Sequence, residues 1–229
     1  MSWHGSCNKS EFMKSDAELQ KDVLAELEYD PGVNINDIGV SVREGIVTLN
    51  GAVSNYAEKL AAAHAAKRVA GVRGLAEDIV VKVPALSRRT DSDIAAAAVH
   101  AVEWIGTVPG DALKVTVRDG WLSLEGTVQG WRQKSAAQEA VHNLAGVKGV
   151  TNLIEIKPQG ASANISGAIK AAFERHALLD ARKIQVETNG GSVVLRGVAR
   201  SFYEREEAER IAWTAPGVTH VENRIVLII

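Results

Sequence analysis

The side chains in this sequence best suited to recognition are tryptophans with arginine or lysine close by. Trp131 is followed by Arg132 and Lys134, and Trp213 shares a stretch with Arg205 and Arg210. An indole has an apolar body and one hydrogen-bonding edge, which suits a lipid–water boundary, and a neighbouring cation adds attraction to anionic surfaces. Trp131, Arg132, Lys134, Trp213, Arg205 and Arg210 are therefore expected to face a lipid or protein partner, the Trp131 group first and the Trp213 group second. Two observations pull the other way. Tyr56, Trp131 and Phe202 recur at equivalent places in a repeated pattern, where an aromatic ordinarily packs a core. Trp104, Trp121, Tyr203 and Trp213 occur in single copies and can equally fill contacts between segments.

Catalytic chemistry finds no comparable grouping. The six histidines (His4, His64, His100, His142, His176 and His220) stand singly, with no His-x-x-x-His pair. Cys7 is the only cysteine, so neither a disulfide framework nor a cysteine metal site is expected. Serine elbow, Walker loop and dinucleotide fingerprint are all missing from the sequence. The expectation is a protein that is not an enzyme and holds no cofactor or metal. Gly71-Val-Arg-Gly74 and Gly146-Val-Lys-Gly149 match the G-x-x-G loop with which KH domains clamp nucleic acid. There the loop joins two helices. Here it leads into a strand, and the third copy reads Gly217-Val-Thr-His220. A helix stop and turn is the expected role. The net charge of −2 gives no bulk attraction to phosphate, so nucleic acid is not an expected partner.

These residues sit in a repeat. Gly45 to Gly51, Gly120 to Gly126 and Gly191 to Gly197 each bracket an apolar strand, with both glycines 6 positions apart. A further 20 positions lead to Gly71, Gly146 and Gly217, each followed by valine. Such spacing held three times marks internal repetition, which decides the fold before any local reading. In each copy a helix comes first, over Asp16–Glu28, Asp91–Ile105 and Asn164–His176. Capping boxes at Ser15-x-x-Glu18 and Thr90-x-x-Asp93 start two of them, and the third lacks that signal. Val40/Val42 and Val47/Leu49 alternate around Glu44-Gly45, as do Val115/Val117 with Leu122/Leu124 and Ile184/Val186 with Val193/Leu195. Period-2 alternation around a glycine turn reads as a hairpin with one buried face. Gly51, Gly126 and Gly197 are then expected to end the strand.

A second helix, such as Tyr56–Val69, is expected to stop at the Gly-Val element, and a last strand closes the sheet. The fold class is α+β: three tandem αββαβ modules, each two helices on one face of a three-stranded mixed sheet. Pro84–Thr90 and Pro158–Ala161 read as linkers, giving modules at 15–84, 90–158 and 161–229 after a tail at 1–14. Met13 begins Met-Lys-Ser-Asp-Ala-Glu-Leu, which reads as a natural start, so residues 1–12 are expected to be an addition. Modules this small bury a modest fraction of their surface, so contacts between them or homo-oligomers are expected. Their net charges are −4, −2 and +1. No polybasic surface strong enough to hold an anionic membrane alone is present, so lipid binding would draw on several modules together.

The αββαβ order, the strand ends Leu49-Asn-Gly51, Leu124-Glu-Gly126 and Leu195-Arg-Gly197, and the Gly-Val before the last strand resemble the BON domain. The likeness covers nearly all of the chain after residue 14. It implies a non-enzymatic role in attachment to phospholipid membranes, linked to osmotic shock, envelope maintenance or transport. It also implies a periplasmic or outer-membrane-associated setting. The sequence itself carries no secretory signal and reads as cytoplasmic, or as periplasmic if a native signal is missing from it. The expected partner is a phospholipid surface bound peripherally. The alternative is a cytosolic protein-interaction or self-assembly module without lipid binding.

Overall fold

The computed structural model describes residues 14–109, 112–157, 164–176, 179 and 181–228. The expected addition at 1–12, with Cys7, and the linker at 158–161 lie outside them. In the first module α1 (Asp16–Tyr29) precedes β1 (Ile38–Arg43), β2 (Ile46–Val53), α2 (Tyr56–Arg68) and β3 (Gly74–Val81). The second runs α3 (Asp91–Glu103), β4 (Leu113–Arg118), β5 (Trp121–Val128), α4 (Trp131–His142) and β6 (Gly149–Ile156). The third runs α5 (Ile165–Arg175), β7 (Ile184–Asn189), β8 (Ser192–Ala199), α6 (Phe202–Thr214) and β9 (His220–Leu227). In each module the middle strand pairs antiparallel with the strand before it and parallel with the strand after α2, α4 or α6. The α+β reading therefore holds, with three repeated three-stranded mixed sheets.

Local chemistry starts the helices as expected. The Ser15 hydroxyl accepts from the Glu18 amide and the Glu18 carboxylate accepts from the Ser15 amide, and Thr90 and Asp93 repeat the exchange. The third first-helix begins one turn later in the repeat, where the Asn164 side chain accepts from the Gly167 amide. Each helix then buries one stripe: Leu19, Val23 and Leu27; Ile94, Ala98 and Val102; Ile165, Ile169 and Phe173. These meet Val47 and Leu49, Leu122 and Leu124, or Val193 and Leu195 from the middle strands, so each module has its own core.

The hairpin turns are held from outside. Glu44 and Gly45, like Asp119 and Gly120, both take positive φ, as two-residue turns that match strand twist require. The Asp16 carboxylate accepts from both Glu44 and Gly45 amides, at 2.8 and 2.9 Å, and Asp91 does the same for Asp119 and Gly120 at 2.7 and 2.9 Å. By the repeat spacing the third copy carries Ser162 at this position, a residue with no carboxylate to offer.

Two glycine roles differ from expectation. Gly51, Gly126 and Gly197 do not end their strands, which run on to Val53, Val128 and Ala199 because the parallel partner continues. They mark where the antiparallel partner arrives. A Cβ on Gly126 would lie 2.1 Å from the Ala112 carbonyl oxygen, and φ there is 138°. Gly71, Gly146 and Gly217 do not stop the helices, which end at Arg68, His142 and Thr214. They turn the chain at positive φ on its way into the last strand.

The modules touch pairwise. Tyr56 packs on the cores of modules one and two, Trp213 on those of three and two, and Phe202 on that of one. Lys67 on α2 pairs with Glu206 on α6 at 2.7 Å. Each module is therefore in contact with both of the others.

Candidate functional site

The recurring aromatics at the start of the second helices are mostly spent on these contacts. Burial raises the Tyr56 phenol above its ordinary value, opposed by a hydrogen bond with the Val150 backbone across the module boundary. Trp131 packs on its own core and, with Arg132, borders a cavity of about 270 Å³ whose far wall is Trp213 to Val218. Lys134 approaches Trp213 from the other side of the same boundary. Four of the six expected residues thus come together, at the junction of modules two and three, with both indoles half-buried. Arg132 is exposed there and has no ion-pair partner among the described residues.

Arg205 and Arg210 lie elsewhere. Lys59, Lys134 and Arg205 share one repeat position. Lys59 and Lys134 donate to the carbonyls of Ile79 and Ile154 at 2.9 and 2.7 Å, tying the second helix to the last strand. Burial lowers the Lys134 ammonium below its usual value. Arg205 instead stands over the Phe202 ring, 5.9 Å from its centroid. Arg210 holds Glu207 through both carboxylate oxygens, at 2.5 and 2.7 Å, and His176 reaches the same carboxylate at 2.8 Å. The Arg210 guanidinium, with His176 behind it, keeps Glu207 below the usual carboxylate range.

The G-x-x-G glycines have a packing reason. Gly74 and Gly149 open the last strands opposite Ile46 and Trp121, and the indole lies so close that a Cβ on Gly149 would come within 2.5 Å of it. Trp121 then donates its Nε1 hydrogen to Thr151 Oγ1 at 2.7 Å. In the third module the pair is Ser192 and His220. A small residue opposite allows a large one here. Among the described residues no group of three or more His, Cys, Asp or Glu is placed to hold a metal.

Of the tryptophans among the described residues, the most exposed stands at the end of α3. Trp104, its C-cap, is 89% exposed, and Val99 on the same helix is 41% exposed. Tyr29 holds the same repeat position at the end of α1 and is 83% exposed. The residue at that place in the third copy is Arg175. The equal spacing that revealed the strands could have revealed this pair too, had it been carried back into the first helix. Their surroundings differ. Glu26, Glu28 and Asp30 flank Tyr29, whereas after its first turn α3 exposes Ala96, Ala97, Val99 and His100 and a single carboxylate, Glu103, which lies 3.4 Å from His100. No helix among the described residues is long and apolar enough to cross a membrane.

Comparison with known proteins fits this architecture. The chain is 29% identical over 160 residues to osmotically-inducible protein Y of Escherichia coli (strain K12), an alignment covering 66% of this chain and 78% of that protein. CdsD, a structural protein of the type III secretion system of Chlamydia trachomatis, matches at 14% identity and a TM-score of 0.24, covering 91% of both chains. Its C-terminal domain matches at 12% identity and a TM-score of 0.25, covering 94% of this chain and 100% of that one. Scores that low support no statement about this chain. The BON domain model matches residues 15–83, 90–158 and 161–228, and the chain therefore belongs to the BON domain family.

Proposed function

We propose that this protein is a non-catalytic binder of phospholipid surfaces, peripheral to the membrane and active in the response to osmotic stress. The observation that carries the reading is the exposed end of α3. Trp104 stands 89% exposed on a helix whose outer side carries Ala96, Ala97 and Val99, with Glu103 as its one carboxylate after the first turn. A tryptophan in water with nothing packed on it has its natural place at a headgroup boundary, where the ring is buried and the indole N–H stays hydrated. Leu86, four residues before the N-cap of α3, is 96% exposed and supplies a second apolar anchor next to the same helix. Arg132, exposed at the junction of modules two and three, adds a cation beside Trp131. The stress role draws on the printed name of the Escherichia coli relative.

Binding of this kind is shallow and weak per contact, because one indole and one leucine bury little area and the chain as a whole is slightly anionic. Flotation of the full chain with vesicles of equimolar phosphatidylglycerol and phosphatidylcholine tests it. The wild type should float, and Trp104→Ala should remain largely in the soluble fraction. Equal flotation of the two proteins would remove α3 as the contact. A wild type that never floats, and whose mass rises with concentration, would replace lipid by a protein partner or a second copy.

A further inference from the structure

The segment joining β3 to α3 borders a cleft of about 580 Å³, closed on the other sides by the β4–β5 turn and the α4–β6 turn. Lys82, Arg88, Arg89 and Lys148 line it, with Asp91 and Asp119. Asp91 is already committed, since its carboxylate accepts from the Asp119 and Gly120 amides. Arg89 donates to the Arg88 carbonyl, and the Asp93 carboxylate nearby is held below its usual range chiefly by the Thr90 hydroxyl and amide, with a smaller contribution from Arg89. Lys82, Arg88 and Lys148 have no ion-pair partner among the described residues. In a chain of net charge −2, this is a local surplus of positive charge that composition does not predict.

Glycine brings two of these cations inward. A Cβ on Gly120 would sit 3.2 Å from Lys148 Cγ, and one on Gly146 would sit 3.2 Å from Arg89 Cβ. Both side-chain stems therefore lie directly on glycine backbone. The other modules do not repeat the arrangement. In the first, Arg73 takes the place of Lys148, but Lys14 takes that of Arg89 and is paired with Asp22 at 2.5 Å. In the third, Thr219 replaces Lys148.

We propose that this cleft binds the phosphate group of an anionic ligand, a phosphomonoester or phosphodiester. Guanidinium forks match phosphate oxygens in pairs, and the two lysines add charge without demanding geometry. The proposal deepens the membrane reading above and rests on it for the lipid headgroup as the source of the phosphate. Leu86, on the bordering segment, would then enter the acyl boundary beside the bound headgroup.

The test uses the full chain, its Arg88→Gln/Lys148→Gln variant and a control, Lys114→Gln/Arg118→Gln, which removes the same charge from β4. Backbone amide shifts are followed during titration with sn-glycerol 3-phosphate and with inorganic phosphate, and flotation is repeated with the same vesicles. We expect shifts confined to Arg88–Asp91, Gly120 and Lys148, absent in the cleft variant and kept in the control. Vesicle affinity should fall roughly 30-fold in the cleft variant and hold in the control. Titration without vesicle binding would keep the cleft, assign its phosphate to a soluble ligand and end the membrane reading. Flotation that depends on Trp104 but not on Arg88 and Lys148, with no amide shifts, would overturn the cleft and leave the membrane reading in place. Equal losses in the cleft variant and the control would also overturn it, by reducing the effect to net charge.

Discussion

The helices α1 and α3 occupy the same place in the repeat and present opposite surfaces. Both begin with a capping box, both bury three residues at helical spacing, and both hold a hairpin turn through an aspartate in the first turn. Outside, α1 is acidic and α3 is nearly uncharged after its first turn. The ends differ as well. Arg68 reaches from α2 to Glu26 and Asp30, at 2.7 and 3.0 Å, and so closes the Tyr29 end of α1 with charge. Among the described residues no ion pair joins α3 to α4. The buried side of a repeat is fixed by the core it must complete, while the outer side is free to specialise, and here the second copy has become the apolar one.

The comparison breaks most visibly if the buried sides are not equivalent. Leu27→Ala and Val102→Ala should both destabilise, Leu27→Ala by about 2–5 kcal/mol, because each opens a cavity where no water now reaches. Urea denaturation of each variant measures this, and Val99→Ser on the outer side should stay within about 0.5 kcal/mol of wild type. Next come the turn clamps. Asp16→Ala and Asp91→Ala each leave two amides without their charged acceptor, a loss of about 1–3 kcal/mol in the same experiment. The third copy, which lacks this aspartate, offers the natural control.

A smaller effect belongs to the helix ends that are tied to a neighbouring helix by charge. Glu207 joins α6 to the end of α5 through His176, and its folded pKa lies below the ordinary 4.5 because Arg210, chiefly, stabilises the carboxylate. Its contribution is therefore complete above about pH 4.5 and is lost as the pH falls through the lower folded value. Glu207→Gln should be less stable than wild type at neutral pH, and the gap should narrow on acidification below that point. A gap of constant size in thermal melts across the range would show that charge plays no part.

Much of this architecture was legible from spacing alone. Capping boxes, hairpin alternation and the glycine intervals are local signals, and the family likeness rested on them. The role of Gly126 was not legible, because it depends on a carbonyl 14 residues earlier in sequence arriving at its Cα. Nor was the use of Tyr56 and Phe202 between modules, since no local pattern says which neighbour an aromatic will meet; for Trp213 a contact between modules was one of two open readings. Lys134 looked like a surface cation beside Trp131. Its bond to the Ile154 carbonyl is a repeat feature shared with Lys59, and aligning the three copies at that position would have exposed it. Trp104 was visible as a residue, but its significance comes from exposure and from the contrast with Tyr29.

That contrast gives the most direct test. Flotation of the full chain with the phosphatidylglycerol and phosphatidylcholine vesicles should be compared for Trp104→Ala and Tyr29→Ala, two exposed aromatics at one repeat position. The account predicts that the first variant loses vesicle binding and that the second keeps it. Equal loss in both, or loss in Tyr29→Ala alone, would contradict the assignment of the membrane contact to α3.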